Sequence, residues 1–223
     1  MQIIDLTHTV RPNIPNWSPT NSFTSELETD YDQVARQHIY HIAGKAGTHI
    51  DSPSHFIPGG ADIASLDPSN LIGPLVVLTL PLEADGLCTA ADINTFESEH
   101  GSIPSGALFF LNTGWYKRWN DPAAFRNPDA DEIPQNPGVA LAAAELLFER
   151  GVVGIGVDSI NVDGPTPDHA VHHFWLGHGR WLIENLTNLD AVPPTGATGI
   201  VLPPKIEGGS EAPIRALAIV DNN

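Results

Sequence analysis

His49, Asp51 and His55 fall at even intervals in one short stretch, Gly47-Thr48-His49-Ile50-Asp51-Ser52-Pro53-Ser54-His55. Side chains on an extended strand alternate between faces, so these three leave from the same one, and Lys45 shares their parity. Imidazoles and a carboxylate on one face are a donor set for a divalent cation. Farther along, His169, His172 and His173 stand at i, i+3 and i+4, the spacing of one helical face. Glu184 ends the apolar run Trp181-Leu182-Ile183. A carboxylate on a buried strand needs a partner, which a metal or Lys45 would supply. Spacing alone does not join the two clusters.

Other chemistries lack their residues. No G-x-S-x-G elbow, P-loop or G-x-G-x-x-G is present, and Cys88 stands alone, so a metal site has to be built from His and carboxylate. Gly154-Ile155-Gly156 lies inside a strand pattern, where paired glycines mark close backbone packing.

These side chains must be positioned by short elements. Apolar runs bounded by Gly, Pro or Asn predict strands at Ile3-Leu6, His38-Ile42, Leu75-Leu80, Leu108-Leu111, Val152-Val157, Trp181-Ile183 and Ala216-Val220. Helical patterns run from Thr89 to Glu99, where Thr89 and Asp92 resemble a capping box, and from Val139 to Arg150, stopped by Gly151. A third helix spans Asp168 to Leu176, while Asn120 to Pro137 reads as a long surface loop. Helix followed closely by strand indicates a mixed α/β domain, and the length of 223 residues is read as one domain, 1–223.

The formal charge of −17, from 27 acidic residues against 10 Lys plus Arg, argues against a nucleic-acid partner and favours cations. The single cysteine points to a reducing, cytoplasmic compartment. The longest apolar stretch, Leu71 to Leu82, is short and broken by Pro74 and Pro81, so neither membrane insertion nor secretion is expected.

The stretch ending in His55 resembles the H-x-G-T-H-x-D-x-P-x-H signature of the cyclase-like metal hydrolases, the family of bacterial kynurenine formamidase and isatin hydrolase. The resemblance continues through Asn112-Thr113-Gly114-Trp115, Gly156-Val157-Asp158-Ser159, Val171-His172 and Ile183-Glu184-Asn185-Leu186. The interval from His172 to Glu184 follows the family pattern and selects His172 over His169 and His173. The resemblance implies a swivelling β/β/α fold with mixed sheets and a homodimer or homotetramer. It also implies a divalent metal, zinc or manganese, on His49, Asp51, His172 and Glu184, with His55 as proton donor or acceptor. Trp17, set among Pro12, Pro15 and Pro19, matches an aromatic that lines the substrate pocket.

Two departures stand out. Lys45 replaces the first histidine of the signature, and Asn112 stands where arginine is common. A cation at position 45 is no ligand, so one metal per subunit is expected, with Lys45 facing substrate. The implied activity is hydrolysis of a small amide, formamide or lactam by metal-activated water. A cyclase, dehydratase or lactone hydrolase on the same scaffold, and a non-catalytic small-molecule binder, are the alternatives. A shared ion requires His172 and Glu184 to lie within about 5 Å of Asp51.

Overall fold

The computed structural model describes residues 1–221. In chain order its strands are β1 (Gln2–Asp5), β2 (Phe23–Thr29), β3 (Gln37–Ile42), β4 (His49–Asp51), β5 (Ile72–Thr79), β6 (Leu87–Cys88) and β7 (Leu108–Asn112). There follow β8 (Gly138–Val139), β9 (Gly154–Val157), β10 (Trp181–Glu184), β11 (Ala197–Leu202), β12 (Glu211–Pro213) and β13 (Arg215–Val220). The helices are α1 (Ala90–His100), α2 (Pro122–Arg126), α3 (Leu141–Glu149) and α4 (Ala170–Gly177).

Nine strands form one mixed sheet in the order β1-β13-β11-β5-β7-β9-β10-β4-β12. Its middle, β5-β7-β9-β10, is parallel. Parallel neighbours need long crossovers, and α1, α3 and α4 are those connections. The flanks are antiparallel. β12 pairs at one edge and β13 near the other, yet only Ile214 separates them, so the sheet has to curl until its two ends meet. A bridge between Thr7 and Leu186 and the bond from Ile214 N to Thr48 O close the same gap.

Each face carries its own apolar cluster. Inside the curl, Ile4, Ile50, Ile183, Ala212 and Ala218 meet from both ends of the sheet. On the other face, Val76, Phe109, Ile155 and Leu182 pack against Ile93 of α1, Leu147 of α3 and Trp175 of α4. α1 starts with the expected capping box: Thr89 caps Asp92, whose carboxylate accepts from Thr89 N at 2.8 Å. The β2–β3 hairpin stands apart as a two-stranded sheet.

The seven expected strands all form. The segment from Asn120 to Pro137 is no plain loop, because Asp121 caps a short helix, α2, that buries Phe125. The extended stretch imagined from Lys45 to His55 is likewise interrupted. Gly47 at φ 70° turns the chain before β4, and Pro53–His55 forms a 3-10 turn after it. Only His49 and Asp51 therefore share a strand face, and Lys45 sits in a turn.

Gly154 is required by a close approach: a Cβ there would stand 2.2 Å from the Trp181 ring. Gly154→Ala is expected to destabilise the fold by about 2 kcal/mol in urea denaturation, as overpacking does. Gly177→Ala, whose nearest neighbour lies at 3.7 Å, should stay within about 0.5 kcal/mol of the parent. Equal effects would contradict this packing.

Candidate metal centre

Register brings the first residues together. In the antiparallel β10–β4 pair Glu184 stands opposite His49 and Leu182 opposite Asp51, so His49, Asp51 and Glu184 leave on the helix-covered face. β12 flanks β4 on its other side and sets Glu211 opposite Asp51. α4 then lays His172 over this face, on a buried stripe with Val171, Trp175 and Leu176.

The four side chains lie close. His49 Nε2 is 3.6 Å from Asp51 Oδ1 and 3.5 Å from Glu184 Oε2. His172 Nε2 is 3.6 Å from Asp51 Oδ2 and 3.5 Å from Glu184 Oε1. Suitable donor atoms of His49, Asp51 and Glu184 fall within 4.8 Å of one another, as do those of Asp51, His55 and His172. All four are buried, Asp51 to 1% exposure. The distance requirement set out from the sequence is met.

Both imidazoles aim Nε2 at this point because Nδ1 is tied elsewhere. His49 Nδ1 donates to Gly47 O at 2.9 Å, and a carbonyl can only accept, so the proton sits on Nδ1. Asn185 Nδ2 donates to the same carbonyl at 3.0 Å, and Thr48 Oγ1 donates to Asn185 O at 2.5 Å. His172 Nδ1 bonds to Asp163 Oδ2. Asp163 Oδ1 accepts from Val171 N at 2.6 Å, in the first turn of α4, so one carboxylate holds both the helix and its histidine.

His55 reaches the site by a different route from the one its parity indicated. The 3-10 turn carries it inward, and the turn is pinned where Ser52 Oγ and Ser52 N each donate to Ser210 O at 2.9 Å. His55 Nε2 lies 3.8 Å from Glu211 Oε1, with its ring 6.1 Å from that of His172. Of the other two histidines in this cluster, His173 is exposed on α4, and His169 precedes the helix with φ 48°. A left-handed turn at His169 breaks the helical phase on which a shared face depends.

A cavity of about 300 Å³ opens above these residues, walled by Trp17, Phe56, His169 and Lys45 among others. Trp17 meets the His169 ring edge-on at 6.0 Å and also packs against a cluster containing Ile14, Trp115 and Trp119. Lys45 pairs with neither Asp51 nor Glu184 among the described residues, because it sits in a turn and the face it was to share ends at Gly47. Glu184 instead faces both histidines and accepts from Val162 N at 3.2 Å. Asp163, Asn185 and Glu211 were missed in the sequence. Asp163 and Glu211 are single acids among many, and Asn185 was seen only within the family resemblance.

The residues fit a divalent cation. Both carboxylate oxygens of Asp51 are buried without a hydrogen-bond partner, and two imidazoles with two carboxylates form an N/O donor set. Without a cation, protons fill the role. Burial and the Asp51 charge push Glu184 up to about 8. Burial lowers the basicity of His172, but the bond to Asp163 and the neighbouring Asp51 and Glu184 outweigh it and raise the ring to about 10. His49 is raised against burial by Asp51 and Glu184, while Asp51 is lowered against burial by His49 and His172.

Groups whose folded pKa exceeds the unfolded value contribute stability at low pH and lose it as pH rises. For His172 the loss runs from 6.5 to about 10, and for Glu184 from 4.5 to about 8. Chelator-treated protein should therefore melt at falling temperature between about pH 6.5 and pH 9. A divalent ion displaces these protons, so added Zn²⁺ should raise Tm more at about pH 8 than at about pH 6. Equal shifts at both would contradict the assignment.

The sequence model described as "Putative cyclase" matches residues 4–164. The chain is 33% identical to isatin hydrolase of Roseibium aggregatum, over 99% of this chain and 92% of that protein. It is 28% identical to kynurenine formamidase of Maricaulis maris, over 96% and 95% of the two. The solved isatin hydrolase A of Ralstonia solanacearum, 33% identical, matches with a TM-score of 0.90 over 99% of this chain and 92% of that one. With residues 4–164 matched and these relatives covering nearly its whole length, this chain belongs to the putative cyclase family.

Proposed function

We propose that this protein is a hydrolase of non-peptide C–N bonds that opens a small lactam or removes an N-formyl group from an aromatic amine. The relatives named isatin hydrolase and kynurenine formamidase support the bond type. The observation that carries the reading is Asp51, a buried carboxylate with neither oxygen hydrogen-bonded, set between two Nε2 atoms and a second carboxylate. His49, Asp51, His172 and Glu184 would hold one divalent ion per subunit, zinc or manganese. Bound there, such an ion supplies Lewis acidity and makes water a nucleophile near neutral pH.

The chain's own groups do the rest. His55 Nε2 takes the proton of the attacking water and returns it to the departing nitrogen, and Glu211 orients the ring. Trp17 and Phe56 give a planar ring its walls. Lys45, the one Lys or Arg lining the cavity among the described residues, binds the carboxylate that lactam opening releases.

The chain acts as one domain and as a homodimer or homotetramer in the cytoplasm. Self-association is supported by the β2–β3 hairpin, which exposes Leu27, Ile39, Tyr40 and Ile42. A lone two-stranded sheet is marginal in water, so a second copy covering it would account for its form. No helix among the described residues is long and apolar enough to cross a membrane.

Metal analysis of the purified protein, coupled to assays on isatin, formylkynurenine and simple lactones, tests the reading. One equivalent of metal with C–N hydrolysis is expected. A metal-free chain that binds these compounds without turnover would make it a binder, and lactone cleavage alone would move it to ester chemistry. His55→Ala should lower kcat by about 10²- to 10⁴-fold and retain the metal. Loss of metal in that variant would make His55 a ligand.

A further inference from the structure

The cavity wall that carries Trp17 belongs to neither the sheet nor a helix. Residues 6–22 form a proline-rich loop with no strand or helix of its own, and its Asn16 and Trp17 line the cavity. Something outside the loop must therefore hold Trp17 in place.

One side chain does so. Arg126, at the end of α2, donates from Nε to Trp17 O at 2.9 Å. Its other arms are fixed by a single residue: Nη1 donates to Glu132 Oε2 at 2.7 Å, and Nη2 to Glu132 O. The Arg126 side chain is only 11% exposed although that of its partner Glu132 is 71% exposed, so Arg126 is packed between the two segments and is no ordinary surface ion pair. Planar donors fixed in a fork suit three acceptors at once, which a lysine cannot match.

The far side of the grip is itself built. Glu132 adopts φ 63°, and that conformation turns its carbonyl and its carboxylate toward the same guanidinium. Asp129 stiffens the turn, with Oδ1 accepting from Asp131 N and Ile133 N at 2.9 Å and Oδ2 accepting from Gln135 Nε2 at 3.0 Å. α2 is anchored in turn by Phe125, whose carbonyl accepts from Trp115 Nε1 at 2.8 Å. A rigid chain of contacts thus runs from the core cluster through Phe125 and Arg126 to the backbone of Trp17.

We propose that Arg126, locked by Glu132, is a positioning residue for substrate selection: it holds the Trp17 backbone so that the indole walls the cavity. The segment following α2 is then a strap on the N-terminal loop. This inference rests on the proposed role of Trp17 as a wall for planar substrates.

Amide hydrogen exchange on the metal-loaded, full-length protein tests the strap without any assay of turnover. Arg126→Ala should speed exchange across residues 12–20 by about tenfold or more while leaving the nine-stranded sheet protected, and Arg126→Lys should restore little of it. In kinetics, KM for the planar substrate should rise about tenfold with kcat within about twofold. In a Trp17→Ala background the same change should add less than about twofold, because the wall it positions is gone. Unchanged exchange in residues 12–20, or an effect on KM undiminished in the Trp17→Ala background, would overturn the proposal. Should Arg126→Ala also loosen the main sheet, Glu132→Ala, at an exposed side chain, carries the test with the same expected and opposing results. If the parent protein turns over none of the substrates, the proposed function fails, and exchange still decides the role of Arg126.

Discussion

Asp51 and Glu184 are two buried carboxylates placed diagonally on neighbouring strands, and like charges so placed are tolerable only where positive charge is supplied. Much of the surrounding architecture answers that demand. The β10–β4 register sets His49 directly across from Glu184, and α4 brings His172 down from the helical layer. Gly47 O and Asp163 then fix the Nδ1 side of each ring, so both Nε2 atoms turn toward the acids. Removing either imidazole would leave a carboxylate pair underneath with too little to balance it.

The candidate site lies on the helix side of the sheet. The curl's interior is filled by apolar side chains from both sheet ends, among them Ile4, Ile50, Leu75, Phe110 and Trp181. On the opposite face the helical layer covers β7 and β9 and gives way over β4 and β12, where the cavity opens. The position of the site follows from where the crossover helices run out.

Strands such as β5, β7 and β10 were legible because their apolar runs are bounded by turn formers. β12 was not: three residues containing a proline, Glu211-Ala212-Pro213, carry no local signal, and only pairing with β4 makes them a strand. Glu211 was invisible for that reason. His55 was found by a parity argument whose premise fails, since the strand ends at Asp51, while the pattern match to the family pointed to the same residue independently. For Lys45 the same premise fails, since a positive φ at Gly47 cancels the alternation, yet the turn still places Lys45 on the cavity wall. Single acids such as Asp163 become distinct only when tertiary folding buries them beside a histidine.

The meeting of β12 and β13 across Ile214 has a consequence for folding. β4 lies far in sequence from both of its sheet partners, β10 at Trp181–Glu184 and β12 at Glu211–Pro213. Pairing across such separations carries a large loop-closure cost, so β4 is expected to join the sheet late in folding. The β10–β4 pairing that brings Asp51 close to Glu184 also sets His49 opposite Glu184, so the buried acids and one neutralising ring come together in the same step. Closure of the curl and assembly of the four candidate ligands are thus expected to be one late event in folding.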